Sequence, residues 1–380
     1  MSAPVSFPPA AGSPLRQRSP ILGVTFRNLL SRTFLEREAG VEGSCSEEGE
    51  MTLNPSRRSP PSAKPEASQQ DESVTDSLDE ELWFGDVNPT RSNSKASESL
   101  AAAAAKAAGL KPFPVVAGEV LRLLSDPDFD RRTVMQTIER DPAIATRLLR
   151  VANSALFRAS TACNSIEAAI LRLGAQTVSE LVVGIAAMAM FDDSSGVGKR
   201  FRDHCANVAA LTRVLGANWR FRGVPQLFLC GLLHDVGKLL TMQCGEFNYA
   251  NLPPEILETP DQVHIAERKA LGYDHAVLAA HVLDLWKIPY PVSPVVAFHH
   301  QPGRAYEDSR EIGLMVAMLR LADRIEYRLQ RDTAMDEEFI EELVRDGACS
   351  FADISSGDLR MMWEDMVTAR REIAGMLGIQ

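Results

Sequence analysis

From residue 110 onward the hydrophobic pattern is helical. Apolar residues recur three and four positions apart in segment after segment, and no run of usable length alternates with period two. An all-α fold is therefore expected. Leu121, Leu123 and Leu124 mark a short helix ending near Ser125-Asp126-Pro127, and Asp130 is placed to cap the next, which carries Val134 and Ile138. Pro142 suits the first turn of a helix holding Ile144, Leu148, Leu149 and Val151, with Asn153-Ser154 capping its end. Ser165 can cap a segment with Ile166, Ala169, Ile170 and Leu173, which Gly174 stops. Residues 181–191 are apolar on every face and should be core, and residues 192–198 are a polar link.

Beyond the link, a helix from about 201 to 219 carries His204, with Val208, Leu211 and Leu215 on its apolar side. The stretch 231–238, GLLHDVGK, lies among Leu227, Phe228, Leu229, Leu239 and Leu240. Apolar residues there cover nearly every direction of a helix, so one buried helix is predicted, with His234 and Asp235 inside it. A buried charge needs a partner, a proton or a metal. Helices are expected over 263–271 and 275–287, and Pro289, Pro291 and Pro294 break the chain before 295–300. A long apolar helix over 312–329 carries Asp323, and residues 336–378 read as two or three helices packed on the body. Gly231 and Gly237 are expected to allow close helix packing or, alternatively, access for a metal.

Residues 1–105 differ. Pro, Ser, Glu and Ala dominate, and apolar residues are too sparse to offset the entropy of ordering, so a disordered N-terminal region is expected. Two islands interrupt it. Residues 21–37 place Ile21, Leu22, Phe26 and Leu30 among Arg27, Arg32 and Arg37, as in a basic amphipathic helix. Such a helix could lie on a membrane surface or a partner, or dock on the protein's own core. Residues 78–85 set Trp83-Phe84 beside acids, like a short peptide ligand. The alanine run 101–108 has high helix propensity and leads into the folded part. The expected domains are thus 1–105, a helical domain over 106–330 with halves 106–195 and 199–330, and a helical extension over 331–380.

The 380 residues are 45% hydrophobic, enough for a sizeable core. The net charge of −11 argues against a nucleic-acid-binding face. The six cysteines form no CxxC pair, which argues against a zinc knuckle and fits reduced thiols in the cytoplasm. No apolar run approaches the length of a membrane span, so no transmembrane segment is expected.

The candidate chemistry is histidine-rich, and all seven histidines follow residue 200. His204, His234, Asp235, His275, His299, His300 and Asp323 fall on successive predicted helices. Imidazole and carboxylate are the ligand types for zinc, iron or manganese. Neighbours on a helix point about 100° apart, so the His234-Asp235 and His299-His300 pairs reach one ion only at a helix flank facing a cleft.

In their order these residues resemble the HD superfamily of metal-dependent phosphohydrolases. Upstream, Asp141-Pro142, the leucine helix, Asn153-Ser154 and the segment from Ala168-Ala169-Ile170 to Leu173-Gly174 look like an HDOD domain. The resemblance covers residues 110–329. It implies an all-helical fold and a regulatory role in bacterial signalling through a protein partner, in a family whose catalysis is described as lost or unproven. The ligand positions resemble those of the HD-GYP enzymes that open cyclic dinucleotides. However, Gln301-Pro302-Gly303-Arg304 follows the histidine pair where that group has Gly-Tyr-Pro. On this resemblance His204, His234, Asp235 and Asp323 would hold a first divalent metal (Fe, Mn or Zn) and His275, His299 and His300 a second. Lys238 would contact phosphate or support the ligands. Two functions are expected to compete: a regulatory module with a structural metal site, and a phosphohydrolase acting on a nucleotide or phosphoester.

Overall fold

In the computed structural model the described residues run from 94 to 376, except 111, 125, 127, 158–161, 192–195, 220–223 and 260. The expectations for residues 1–93, both islands included, lie outside them. All regular structure among the described residues is helical.

The first half holds α1 (Ser94–Leu110), α2 (Val115–Leu124), α3 (Arg131–Glu139), α4 (Pro142–Ala152), α5 (Ile166–Leu173) and α6 (Ala175–Ala189). The free N–H groups at each helix start need acceptors, and the expected side chains supply them. Asp130 accepts from Arg132 and Thr133, Asp141 from Ala143 and Ile144, and Ser165 from Ala168. Gly174 ends α5 at φ 83°, a left-handed value that disfavours any side chain. Asn153 does more than end α4. Its side chain donates to the Cys163 carbonyl at 2.9 Å and accepts from the Cys163 N–H at 2.6 Å, clamping the loop between them.

The second half holds α7 (Gly196–Asn218), α8 (Val224–Leu233), α9 (Val236–Cys244), α10 (Pro254–Leu257), α11 (Val263–Leu271), α12 (His275–Leu285), α13 (Val292–Ala297), α14 (Gly303–Asp308) and α15 (Arg310–Arg331). Three helices follow: α16 (Glu337–Arg345), α17 (Gly347–Ala352) and α18 (Ser356–Met376). α7 is central and packs on α8, α15 and α18, while α6 packs on α2, α4 and α8. No single described helix is long and apolar enough to cross a membrane, and the described cysteines are free thiols.

Three expectations shift. The alanine run is part of the body: Leu100, Ala103, Ala104 and Ala107 are buried as α1 packs on α9 and α12. Their small side chains let helices approach closely, so the folded part begins before residue 105. α7 starts at Gly196, inside the segment expected as a link. Finally, α16 to α18 share the main core through Ile340, Leu343, Trp363, Met366 and Ile373, so the C-terminal extension is integral to it.

Among the described residues, two glycines sit where one helix meets the backbone of another most closely. A Cβ on Gly231 would lie 2.5 Å from Ala209 Cα, and one on Gly237 would overlap the His275 backbone carbonyl. Neither backbone can yield without moving a helix. Gly237→Ala should therefore cost about 1–3 kcal/mol or more by overpacking. Gly109→Ala, in an exposed helical position with open space around it, should instead gain about 0.5–1 kcal/mol. Urea unfolding of the two variants checks the contrast, and equal midpoints would refute the close-crossing account.

Glu180 on α6 is 3% exposed, and one of its oxygens has no partner. Burial raises its carboxyl to about 7, against the lowering effect of the Gln176 hydrogen bond. Below pH 4.5 both folded and unfolded states hold the proton and no penalty exists. As pH rises the unfolded chain ionises first, so the penalty grows up to about pH 7 and is then constant. Glu180→Gln should leave stability unchanged at pH 4 and raise it by about 3 kcal/mol at pH 8, measured by denaturant unfolding at both pH values.

Candidate metal centre

The histidine–aspartate pair sits at a break between helices. α8 ends at Leu233 and α9 starts at Val236, so His234 and Asp235 form the turn between them. The apolar periodicity predicts one continuous helix here, and the structure interrupts it. In an unbroken helix the two side chains would diverge by about 100°. With Asp235 at φ −101° and ψ 9°, both face one centre, and His234 Nε2 lies 3.5 Å from Asp235 Oδ2. His299 and His300 follow the same rule: α13 stops at Ala297, and the pair sits just past its end. His275 is the first residue of α12, whose start is capped by Asp274. His204 and Asp323 project from the buried faces of α7 and α15.

All seven residues expected at the site come together. His204 Nε2 is 2.9 Å from Asp323 Oδ1, 3.3 Å from His234 Nε2 and 3.7 Å from Asp235 Oδ2. On the other side, Asp235 Oδ1 is 3.0 Å from His275 Nε2 and 4.0 Å from His299 Nε2, and His300 Nε2 is 3.0 Å from His275 Nε2. Asp235 therefore stands between two groups, one oxygen toward each.

The outer nitrogens are anchored. His234 Nδ1 donates to the Gly231 carbonyl at 2.8 Å and His299 Nδ1 to the Val296 carbonyl at 2.7 Å. His275 Nδ1 donates to Glu267 at 2.6 Å and His300 Nδ1 to Asp261 at 2.9 Å. Carbonyls and carboxylates only accept, so these Nδ1 atoms carry protons and each Nε2 is the nitrogen turned inward. Outer hydrogen bonds of this kind orient imidazoles for metal ligation.

The electrostatics match. Burial would raise the Asp235 carboxyl, but Lys238, His234 and His275 outweigh it and hold it well below the usual carboxylate range. Asp323 is held at about 2, its burial outweighed by the His204 hydrogen bond and charge. His299 falls to about 3 through burial and the charges of His234 and His275, and stays neutral. His275 rises to about 9 because Glu267 and Asp235 overcome its burial. His204 is also raised, against its burial, by the Asp323 hydrogen bond and charge. The carboxylates thus call protons onto two imidazoles where a divalent cation would supply the same charge. His299 Nε2 is buried with no hydrogen-bond partner, while Asp235 Oδ1 and Asp323 Oδ1 meet only the cluster's own imidazoles, at 3.0 and 2.9 Å. Inward-turned ring nitrogens, one of them orphaned, and an anionic field together fit a metal ion.

Of the two places expected for Lys238, at a phosphate or behind the ligand positions, its geometry matches the second. It is buried, and its ammonium lies 2.6 Å from Asp235 Oδ2. Engaged with that carboxylate, it is placed to keep Asp235 ionised. Sequence reasoning missed the outer partners. Glu267 accepts from both the His275 backbone N–H and its ring, and takes the Tyr249 hydroxyl on its other oxygen. His264 stacks on His300 at 4.4 Å between ring centroids. His264 and Glu267 are three apart on α11, a spacing that puts them on one helix face and could have flagged them. Asp261 sits in a loop at φ 63° and has no such signal.

An all-helical body with a buried histidine–aspartate cluster defines an HD-type helical protein. More narrowly, the HDOD domain model matches residues 110–302, about half the chain, and the chain belongs to the HDOD family. An uncharacterised protein of Treponema pallidum (strain Nichols) is 23% identical over 207 residues, which are 54% of this chain and 40% of that relative. The chain thus spans less than half of that relative's length. Among solved structures, a Shewanella amazonensis SB2B protein named as a candidate phosphohydrolase is similar at 24% identity and a TM-score of 0.59. The match covers 73% of this chain and 98% of that one. An HDOD domain protein of unknown function from Geobacter sulfurreducens is similar at 18% identity and a TM-score of 0.58, over 74% and 99% of the two chains. At these identities the likeness carries the fold.

Because Glu267 fixes both the ring and the backbone of His275, Glu267→Gln should lower metal affinity by about 10–100-fold with the fold retained. Competition of the metal-loaded protein against a chelator, read by elemental analysis, tests this. A variant that keeps its metal at the same chelator concentration as wild type would remove Glu267 from the site.

Proposed function

We propose that this HDOD chain is a bacterial regulatory module that acts through a protein partner, with a structural centre for one or two divalent transition metals. His204, His234, Asp235 and Asp323 would hold the first ion, and His275, His299 and His300, with the second oxygen of Asp235, the other. The observation that carries this reading is burial. His234 is 0% exposed, Asp235, His275 and His299 are each 1%, and Lys238 is 2%. A hydrolytic site needs a coordination position open to water and substrate, and donors this enclosed favour an ion that braces helices. The family resemblance to regulatory proteins supports it, as does the net charge of −11, which disfavours nucleic acid as the partner.

The second reading, a metal-dependent phosphohydrolase, draws on the completeness of the donor set and on Asp235 standing between its two halves. A bound metal would lower the pKa of a water and polarise a phosphoryl oxygen. The chain's own residues would orient the donors through their outer hydrogen bonds, while Lys238 holds the Asp235 carboxylate ionised. Gln301-Pro302-Gly303-Arg304 after the histidine pair counts against a cyclic dinucleotide as substrate.

Purified protein loaded in turn with iron, manganese and zinc distinguishes the two. Wild type should retain metal, unfold at a higher temperature than the chelated form, and hydrolyse a phosphodiester such as bis-p-nitrophenyl phosphate no faster than the metal in buffer. His300→Ala should keep most of the thermal stability. Metal-dependent turnover by wild type, abolished in His300→Ala at unchanged melting temperature, would establish the hydrolase instead.

A further inference from the structure

A cavity of about 580 Å³ opens between α7, the C-terminal end of α15 and α18. Arg200, Asp203 and Asn207 line it from α7, Gln330 from α15, and Arg370 and Arg371 from α18. His204 borders it. Both α15 and α18 lie beyond the residues that match the family domain, so this cavity is built with the chain's own C-terminal extension.

Its walls carry unmet hydrogen-bonding groups of two kinds. Asn207 is 8% exposed, donates from Nδ2 to Glu326 at 2.8 Å, and has no partner for Oδ1. Oδ1 of Asp203 is also buried and unpartnered. Unpaired buried acceptors are costly and ask for a donor. The second kind is cationic. Arg370 is engaged by Glu326 at 2.6 Å, but Arg200 and Arg371 are exposed guanidiniums with no ion-pair or hydrogen-bond partner among the described residues. Val367 is the apolar side chain of the lining, and no aromatic ring is present to stack a base.

We propose that this cavity binds a small phosphate ester rich in hydroxyls, the ribose-phosphate chemistry shared by sugar phosphates and mononucleotides. The free guanidiniums take the phosphate, for which their planar donors are suited. The hydroxyls donate to Asn207 Oδ1 and Asp203 Oδ1. Inorganic phosphate satisfies the arginines and leaves both acceptors unpaired, and a neutral sugar does the reverse. The volume is in the range of small-molecule sites. The ligand stands beside the metal centre, because Gln330 Nε2 is 3.3 Å from both His204 Nδ1 and Glu326 Oε1. This site does not depend on whether the metal centre is structural or hydrolytic.

Calorimetric titration of the full chain with ribose 5-phosphate, adenosine 5′-monophosphate, ribose and inorganic phosphate tests it. At least one ester should bind saturably, and ribose and phosphate roughly tenfold or more weakly by comparison. Tighter binding of the nucleotide assigns a mononucleotide as the source of the chemistry, and otherwise the free sugar phosphate is assigned. The double variant Arg200→Ala/Arg371→Ala changes only exposed side chains, so it should keep the wild-type melting temperature and lose roughly tenfold or more in ester affinity. Three outcomes overturn the proposal: no saturable binding of either ester, inorganic phosphate binding as tightly as the esters, or ester binding undiminished in the double variant. The last would put the ligand at the metal centre.

Discussion

A carboxylate at 1% exposure in an all-helical core sets the terms for the second half of this molecule. Removing such a charge from water costs several kcal/mol unless partners surround it. The partners of Asp235 come from elements far apart in the chain: His204 from α7, Lys238 from α9, His275 from α12 and His299 from the loop after α13. Four segments must therefore converge within about a side-chain length of one another. That convergence explains where side chains are missing. Gly237 sits where α9 touches the His275 backbone, and Gly231 where α8 touches Ala209. A methyl group at either point would push a partner away from the carboxylate that needs it.

Much of the fold was legible because the signals for it are local. Helix periodicity and capping by Asp130, Asp141 and Ser165 depend on residues within one turn, and the structure places them as expected. The seven residues that the structure brings together were legible from their order and its resemblance to the HD superfamily, since order alone does not separate His275 from His264 or His281. The break at His234-Asp235 was not. Apolar neighbours surround those positions whether the helix runs on or stops, so periodicity cannot tell the two apart. What decides is the requirement that two adjacent side chains face one centre. The Arg200–Arg371 cavity left no trace in the sequence either, because its walls come from three helices, the first lying more than a hundred residues before the other two's lining positions, and have no common spacing.

The extension beyond the family domain is tied into the site's outer layer. Asp261, which holds His300, is gripped by Arg320 through two bonds of 3.0 Å, and Arg320 reaches on to Asp346 before α17. On the opposite flank Arg370 of α18 holds Glu326, which holds Asn207 and Gln330, and Gln330 touches His204. Both halves of the donor set are thus braced by residues after 310. A contiguous chain of hydrogen bonds thus joins the packing of α18 to the orientation of His204.

The same arrangement bears on what a metal ion would contribute. Without one, the cluster's anions draw protons onto His204 and His275, while His299 and His300 are pushed neutral by burial and their charged neighbours. Inward-facing nitrogens 3.0–3.3 Å apart are then held together only where a proton sits between them. An ion replaces that arrangement with bonds to donors running from residue 204 to residue 323. Its binding free energy enters the folding free energy, because the unfolded chain has no preformed site. Since those donors lie on separate helices, an ion bound there would fix relative helix positions. Bracing of that kind needs no open coordination position, whereas turnover would need one, and the centre's donors nearest to solvent are His204, at the edge of the Arg200–Arg371 cavity, and the half-buried His300.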